Sequence, residues 1–230
     1  MSPSEVEYPG LVEAGNNEVS TLEHLSRPII LVLGETGAGK STFICAAGPT
    51  GRAPNVGHTL QPGTTSVMGY EVERTPSLGR RVILVDTPGF NDPDRSDSQI
   101  LKDIIIWLER VLRLNKNARL DGIIFLQDIH NRQISRVNAD SVQMPPAVVL
   151  ANVACHDTGP PNSHTSIDFG STNQHLLAWS LIDKAVKPES SASLSSAIKQ
   201  LKGIQKLGSR RTGLMRQILE SFKGVLGIEI

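Results

Sequence analysis

The segment from Gly34 to Ser41 combines residue types that together can bind a phosphate group. It reads GETGAGKS, which fits the pattern G-x-x-x-x-G-K-[ST], and it follows the apolar run Pro28–Leu33. The glycines allow a tight turn that points the backbone N–H groups of about Gly37 to Lys40 at phosphate oxygens. The Lys40 ammonium group would reach the terminal phosphates of a nucleotide, and the Ser41 hydroxyl would ligate Mg²⁺. A plain glycine-rich turn is the alternative, but such a turn requires neither the lysine nor the serine.

A second chemical signal is the tetrapeptide DTPG from Asp86 to Gly89, which directly follows the predicted buried strand Arg81–Val85 (RVILV). An aspartate at the end of a strand next to a phosphate loop can supply a second metal contact, usually through water. Gly89 has no side chain, so its backbone N–H group can approach a γ-phosphate. Alone, the tetrapeptide could be a strand that ends in a turn. Downstream of a phosphate loop, it is typical of GTP-binding domains rather than of ATPases in general.

Two threonines between these motifs, Thr64 and Thr65, could close the metal site. In a GTP-dependent switch, a threonine hydroxyl at this place joins the Mg²⁺ shell only when a γ-phosphate is present. The sequence favours Thr65 as this metal ligand but does not rule out Thr64. The alternative is that both threonines are present only because threonine is common in β-strands. The predicted nucleotide contacts are Gly34, Glu35, Thr36, Gly37, Ala38, Gly39, Lys40, Ser41, Thr42, Thr64, Thr65, Asp86 and Gly89; the predicted metal ligands are Ser41, Thr65 and Asp86.

Alternating strands and helices must position these residues. The longest helix is predicted over 97–114, with Ser96 or Asp97 as its cap and an apolar face that packs on a sheet. The other predicted elements are strands over 28–33, 66–74, 81–85, 120–126 and 147–153, and helices over 40–47, 194–207 and 212–226. This alternation predicts a doubly wound α/β fold with a mainly parallel sheet.

Composition and charge narrow the class of protein. The chain has 230 residues, with 23 Lys+Arg against 23 Asp+Glu, so its net charge gives no reason to expect a nucleic acid partner. Two cysteines without a C-x-x-C pair fit a reducing compartment. No apolar stretch reaches the ~20 residues of a membrane span. We therefore expect a soluble, cytoplasmic protein, in which the modest basic excess of residues 181–230 could at most support a peripheral membrane contact.

The motifs together resemble those of a known family. GETGAGKST, GTTS, DTPGFNDPDRSD, WLERVL and LDGIIFLQDIHNRQISR are similar to a fungal-type G domain, a group that resembles the septin, immune-associated and chloroplast-import-receptor GTPases. The similarity covers about Pro28–Arg136. It implies a Ras-like P-loop NTPase fold, a three-layer α/β/α arrangement whose sheet is incomplete in its C-terminal part. It also implies GTP or GDP with Mg²⁺ as ligands and a homodimer formed through G domains.

Two features depart from that family. Phe90 stands where Ras-type enzymes have a glutamine that orients the attacking water, so slow hydrolysis is expected and no catalytic residue is assigned. The guanine-reading motif [NT]-K-x-D is missing after the predicted strand 147–153; Asn152 and Asp157 have the wrong spacing and no lysine.

The sequence thus predicts four regions in the chain and leaves three possible functions. The regions are a polar, flexible tail over 1–26, a G domain over 27–157, an irregular or disordered segment over 158–190, and C-terminal helices over 191–230. A slow, Mg²⁺-dependent GTPase switch is the favoured function. The alternatives are a degenerate, non-catalytic nucleotide-binding or interaction protein without guanine specificity, and a P-loop ATPase.

Overall fold

One open sheet organises the part of the chain that this computed structural model describes. The described residues are 11–12, 27–51, 53–54, 64–73, 79, 81–128, 148–154, 166–168, 174–186, 192–207 and 217–218. The strands are β1 (Leu11–Val12), β2 (Ile29–Gly34), β3 (Met68–Val72), β4 (Val82–Asp86), β5 (Arg119–Asp128), β6 (Val148–Ala154), β7 (Ser166–Asp168) and β8 (Ala192–Ser193). They lie in the order β1-β3-β4-β2-β5-β6-β7, and β8 pairs with the first two residues of β5, off this path.

The sheet is mainly parallel, as the sequence predicts. β2 pairs in parallel with β4 on one side and with β5 on the other, and β6 and β7 continue the parallel pairing beyond β5. β3 runs antiparallel to β4, and β8 antiparallel to β5. All six residues of β2 are buried, because a central parallel strand is covered on both of its faces. The apolar run IILVL is therefore the sequence signature of the sheet centre.

Helices cover both faces of this sheet. They are α1 (Lys40–Ala47), α2 (Asp97–Leu114), α3 (Gln174–Ala185) and α4 (Leu194–Leu207). Alternate residues of β2 enter different cores, since side chains alternate along a strand. Leu31 belongs to the core with α2 and α4, and Val32 belongs to the core with α1 and α3. The predicted three-layer α/β/α fold is confirmed.

Helix α2 has the bounds predicted from the sequence. Ser96 is its cap, and the Ser96 hydroxyl accepts a hydrogen bond from the Gln99 N–H at 3.2 Å. Seven apolar residues of the helix, Ile100, Leu101, Ile104, Ile105, Trp107, Leu108 and Val111, are buried. Within the described residues, no helix has both the length and the apolar character needed to cross a bilayer.

The structure corrects the predicted organisation at both ends of the chain. The segment 158–190 was expected to be irregular, but it contains α3, which buries Ala178, Leu181, Ile182 and Ala185. The spacing of these four residues places them on one helix face. Within the tail 1–26, Leu11–Val12 form β1 and pair in parallel with β3.

The two helices beyond the predicted limit of the G domain contact the same sheet. Helices α3 and α4 both lie beyond residue 157 and both pack on the central sheet, while the limit itself stays a prediction. Of the predicted helix 212–226, only residues 217–218 are described, and Ile218 is buried in the core with α2 and α4. The remainder of that helix, the rest of the tail, and segments 129–147 and 155–165 lie outside the described residues.

Candidate functional site

The predicted phosphate loop joins β2 to α1 at the carboxyl end of the central strand. Gly37 and Gly39 have φ angles of 83° and 81°, in the left-handed region that favours glycine. Gly39 is also the N-cap of α1, where it contributes no side-chain hydrogen bond. Ala38 is fully buried, and its backbone N–H donates to the Glu35 carbonyl at 3.1 Å, which closes the turn. The loop thus presents the start of a helix to any anion bound there.

Lys40 lies across this loop with only 6% of its surface exposed. Its Nζ atom donates hydrogen bonds to the backbone carbonyls of Glu35 at 2.8 Å and Gly34 at 3.3 Å. A positive charge that is buried among carbonyl oxygens is a strong partner for phosphate oxygens, which carry more negative charge than carbonyls do. The lysine that the motif requires is therefore already held at the loop.

Three side chains from separate segments meet beside the loop, and we call Ser41, Thr64 and Asp86 the oxygen cluster. The Ser41 Oγ atom donates to Asp86 Oδ2 at 2.8 Å and lies 3.0 Å from Thr64 Oγ1. The Thr64 Oγ1 atom donates to the same Asp86 oxygen at 3.2 Å. The start of α1, the approach to β3 and the end of β4 thus contribute one oxygen-bearing side chain each.

Asp86 is the acidic member of the cluster and is almost completely buried. Its Oδ1 atom has no hydrogen-bond partner among the described residues. Burial raises the pKa of this carboxyl group, while the hydrogen bond from Ser41, the charge of Lys40 and the hydrogen bonds from Thr64 and the Thr87 backbone oppose the increase. A buried carboxylate oxygen without a partner, next to two hydroxyls, matches the hard oxygen ligands that Mg²⁺ prefers. The residues present therefore fit a magnesium ion.

The structure places Thr64 where the sequence favoured Thr65. Thr65 is exposed. Its backbone carbonyl accepts a hydrogen bond from Arg95 Nη1 at 2.8 Å. Among the described hydrogen bonds, the hydroxyl that contacts Asp86 is that of Thr64 and not that of Thr65. Sequence pattern alone does not identify which one.

The DTPG segment and the residue after it contact the phosphate loop closely. Thr87 Oγ1 donates to the Val32 carbonyl at 2.8 Å, a contact that sequence reasoning missed. A Cβ atom added at Gly89 would lie 2.4 Å from the Thr36 Cα atom, so this close approach requires glycine. The backbone of Phe90 donates to the Gly34 carbonyl at 3.0 Å and accepts from the Thr36 N–H at 2.9 Å. The two predicted motifs therefore form one site.

Phe90 itself is fully buried in the core shared with α2 and α4. Its ring is part of the hydrophobic packing, and this position supplies no polar side chain to the site. Sequence reasoning also missed Arg95, which contacts Thr65 and forms an ion pair with Asp103. The signal for Arg95 was its place in the charged run DPDRSD, which by itself indicates only a solvated loop.

The strand that precedes the expected guanine-reading segment is present. β6 pairs in parallel with β5, with Leu150 opposite Phe125 in the backbone register. The predicted strand 147–153 is thus confirmed over 148–153, since residue 147 lies outside the described part. Residues 155–165, which follow this strand, also lie outside it.

The chain is similar to a known protein family over more than half of its length: residues 29–153 match the family model described as 50S ribosome-binding GTPase. No curated protein sequence matches the chain.

Several solved structures resemble the chain at low sequence identity. Toc33 of Arabidopsis thaliana, in a dimerization-deficient mutant form, is 14% identical, with 86% of this chain and 70% of that chain covered and a TM-score of 0.39. The same protein in complex with Mg²⁺ and GMPPNP is 18% identical, with coverages of 71% and 63% and a TM-score of 0.37. Era of Aquifex aeolicus bound to GDP and AlF₄⁻ is 15% identical, with coverages of 80% and 68% and a TM-score of 0.44. At these values, none of the three likenesses identifies a function for this chain.

Proposed function

The chain belongs to the 50S ribosome-binding GTPase family, and on this premise we propose that it is a GTP-binding switch with slow, Mg²⁺-dependent hydrolysis. The observation that carries the proposal is the buried Asp86 Oδ1 atom without a partner, next to the Ser41 and Thr64 hydroxyls. The reaction is transfer of the terminal phosphoryl group of GTP to water, which yields GDP and phosphate.

Lys40 and the start of α1 are the groups suited to the phosphates. The Lys40 ammonium group would exchange the carbonyls of Gly34 and Glu35 for β- and γ-phosphate oxygens, which are better acceptors. Ser41 and Thr64 would offer hydroxyl oxygens to Mg²⁺, and Asp86 its carboxylate, usually through water. When bound, the ion supplies positive charge that neutralises the phosphates.

The proposed switch segments are 57–66 and 86–94, which the γ-phosphate would order and hydrolysis would release. Of these, residues 57–63 lie outside the described part. Thr64 belongs to the first segment and Gly89 to the second, and both lie next to the phosphate loop. A ligand that contacts both segments in one state only is what a two-state switch requires.

Slow hydrolysis follows from Phe90, whose buried ring cannot orient a water molecule. The same burial favours a second candidate function, a non-catalytic nucleotide-binding protein that acts through its surfaces. The third candidate, a P-loop ATPase, is disfavoured because DTPG and GTTS are typical of GTP-binding domains.

The proposal extends to partners and location. A homodimer through the G domains would bring a second copy to the nucleotide and could supply the polar group that Phe90 does not. Sedimentation with a non-hydrolysable GTP analogue and with GDP tests this, since a protein that stays monomeric with both nucleotides would contradict it. A cytoplasmic location stays a prediction of the sequence, as does the absence of a nucleic acid partner.

Titration with fluorescent GTP, GDP and ATP analogues, with and without Mg²⁺, tests the proposed function. We expect Mg²⁺-dependent binding of GTP that is tighter than that of ATP. Lys40→Ala should weaken triphosphate binding by about 10- to 100-fold, the range expected when a hydrogen bond to a charged group is lost. Lys102→Ala is the matched control, because Lys102 is an exposed lysine on α2.

Each outcome of this titration decides between the candidates. Unchanged affinity in Lys40→Ala would contradict the phosphate-loop assignment. Equal affinity for GTP and ATP would mean that the site binds phosphates but does not read the base. If the unmodified protein binds no nucleotide, the switch proposal is wrong.

A further inference from the structure

Arg95 connects two segments of the proposed switch. It lies between the DTPG segment and the Ser96 cap of α2, and its side chain is 25% exposed. One guanidinium nitrogen, Nη1, donates to the Thr65 carbonyl at 2.8 Å. The other, Nη2, forms an ion pair with the Asp103 carboxylate on α2. A single side chain thus joins the threonine segment to α2.

The guanidinium group is held in place from α2. The second carboxylate oxygen of Asp103 accepts a hydrogen bond from Gln99 Nε2 at 3.1 Å, so the carboxylate is itself oriented by its own helix. A planar guanidinium group with one nitrogen fixed by a carboxylate presents its remaining donors in fixed directions. The donor that faces Thr65 is therefore directed by α2 rather than free to rotate.

The Thr65 carbonyl is one residue away from the hydroxyl that completes the oxygen cluster. Thr64 Oγ1 lies within hydrogen-bond distance of both Ser41 and Asp86. The backbone between the Thr64 side chain and the Thr65 carbonyl is short, so fixing that carbonyl restricts where the Thr64 hydroxyl can lie. Neither Ser41 nor Asp86 contacts Arg95 in the described hydrogen bonds, so its effect on the cluster must pass through Thr64.

We propose that Arg95 is a positioning residue that holds Thr64 against Asp86 and so couples the start of α2 to the metal site. The coupling to nucleotide rests on the proposed function, whereas the positioning of Thr64 is a property of the chain without ligand. Because a threonine of this kind contacts the metal only in the triphosphate state, Arg95 acts on that state selectively. A residue with a merely structural role would affect GTP and GDP binding equally.

Hydrogen–deuterium exchange on the ligand-free protein tests the positioning directly. Arg95→Ala should accelerate backbone exchange in a peptide that contains residues 64–66, and Asp103→Asn should do the same to a smaller extent. Arg113→Ala is the matched control, because Arg113 is an exposed arginine at the other end of α2 that contacts only the Glu109 carbonyl among the described hydrogen bonds. Unchanged exchange in Arg95→Ala would overturn the proposal.

Nucleotide binding tests the coupling. Arg95→Ala should weaken Mg²⁺-dependent binding of a non-hydrolysable GTP analogue by about tenfold, the effect of losing one hydrogen bond to a charged group, and leave GDP affinity unchanged. Arg95→Lys should restore part of the loss, since lysine keeps the charge but lacks the planar fork. In Thr64→Ala, the additional change Arg95→Ala should have little further effect, because both act on one hydroxyl.

The outcomes separate this proposal from the proposed function. Additive losses in the double variant, or equal losses for GTP and GDP, would overturn the coupling through Thr64. If the unmodified protein binds no nucleotide while exchange at 64–66 still depends on Arg95, the proposed function fails and the positioning role stands.

Discussion

The surroundings of Asp86 have opposing effects on the pKa of its carboxyl group. Its burial favours the neutral form, whereas the hydrogen bonds from Ser41 and Thr64 and the charge of Lys40 favour the ionised form. Burial is the larger effect, so the pKa of Asp86 is raised above 3.8. A bound Mg²⁺ ion would favour the carboxylate and reverse this balance.

The raised pKa predicts how stability depends on pH. In the folded protein without ligand, Asp86 binds its proton more tightly than in the unfolded chain. The associated stabilisation is therefore complete below pH 3.8 and is lost as pH rises through the folded-state pKa. Asp86→Asn should remove this decline, which urea unfolding from pH 4 to pH 7 would measure. Mg²⁺-dependent nucleotide binding should weaken in the same variant; an identical pH slope in both proteins would contradict the account.

At the scale of elements, α3 is the clearest discrepancy between sequence and structure. Its Trp179 Nε1 atom donates to the Ala47 carbonyl at 3.0 Å, where α1 ends. Its exposed face carries Leu176, which is 61% exposed, and this weakens the amphipathic pattern. The helix is therefore defined by its packing on α1 and the sheet rather than by a strong local signal.

This packing predicts that α3 contributes directly to stability. Ile182 is fully buried in the core with α1, so Ile182→Ala should lower the free energy of unfolding by about 2–5 kcal/mol. Leu176→Ala, on the same helix, should change it by less than about 0.5 kcal/mol because its side chain is exposed. Chemical denaturation of both variants measures the difference, and equal small effects would mean that α3 does not pack as described.

The elements that the sequence predicted share one property. β2 and β4 are continuous apolar runs buried on both faces of the sheet, and α2 has an apolar face with helical spacing, so burial of apolar residues is what forms each of them. The choice between Thr64 and Thr65 and the contact of Arg95 depend instead on which distant segments meet. Such contacts leave no periodic trace in one sequence, so the motif residues were predictable and their connecting partners were not.

At the scale of the whole molecule, the fold is that of a P-loop GTPase, and the family match confirms the membership that the motifs predicted. The suggested fungal origin stays a prediction. Two cores lie on opposite faces of one sheet, and each contains a helix from beyond residue 157. Neither core is complete without the C-terminal third of the chain.

This arrangement predicts the effect of truncation. A chain that ends at residue 157 lacks α3 and α4 and exposes apolar residues on both faces of the sheet. It should lose the cooperative thermal unfolding transition of the full chain, as followed by circular dichroism. A cooperative transition at an unchanged temperature would mean that residues 27–157 form an independent domain.

The burial of Phe90 affects how long the protein would stay in its GTP-bound form. On the proposed function, the chain has no water-orienting side chain at this position, so the lifetime of its triphosphate form depends on what the protein encounters. If the missing group comes from a second copy, turnover per molecule rises with protein concentration. At low protein concentration the molecules would then keep GTP bound for long periods. Where the protein is locally concentrated, they would hydrolyse GTP faster, so the GTP-bound fraction would depend on the protein's own local concentration.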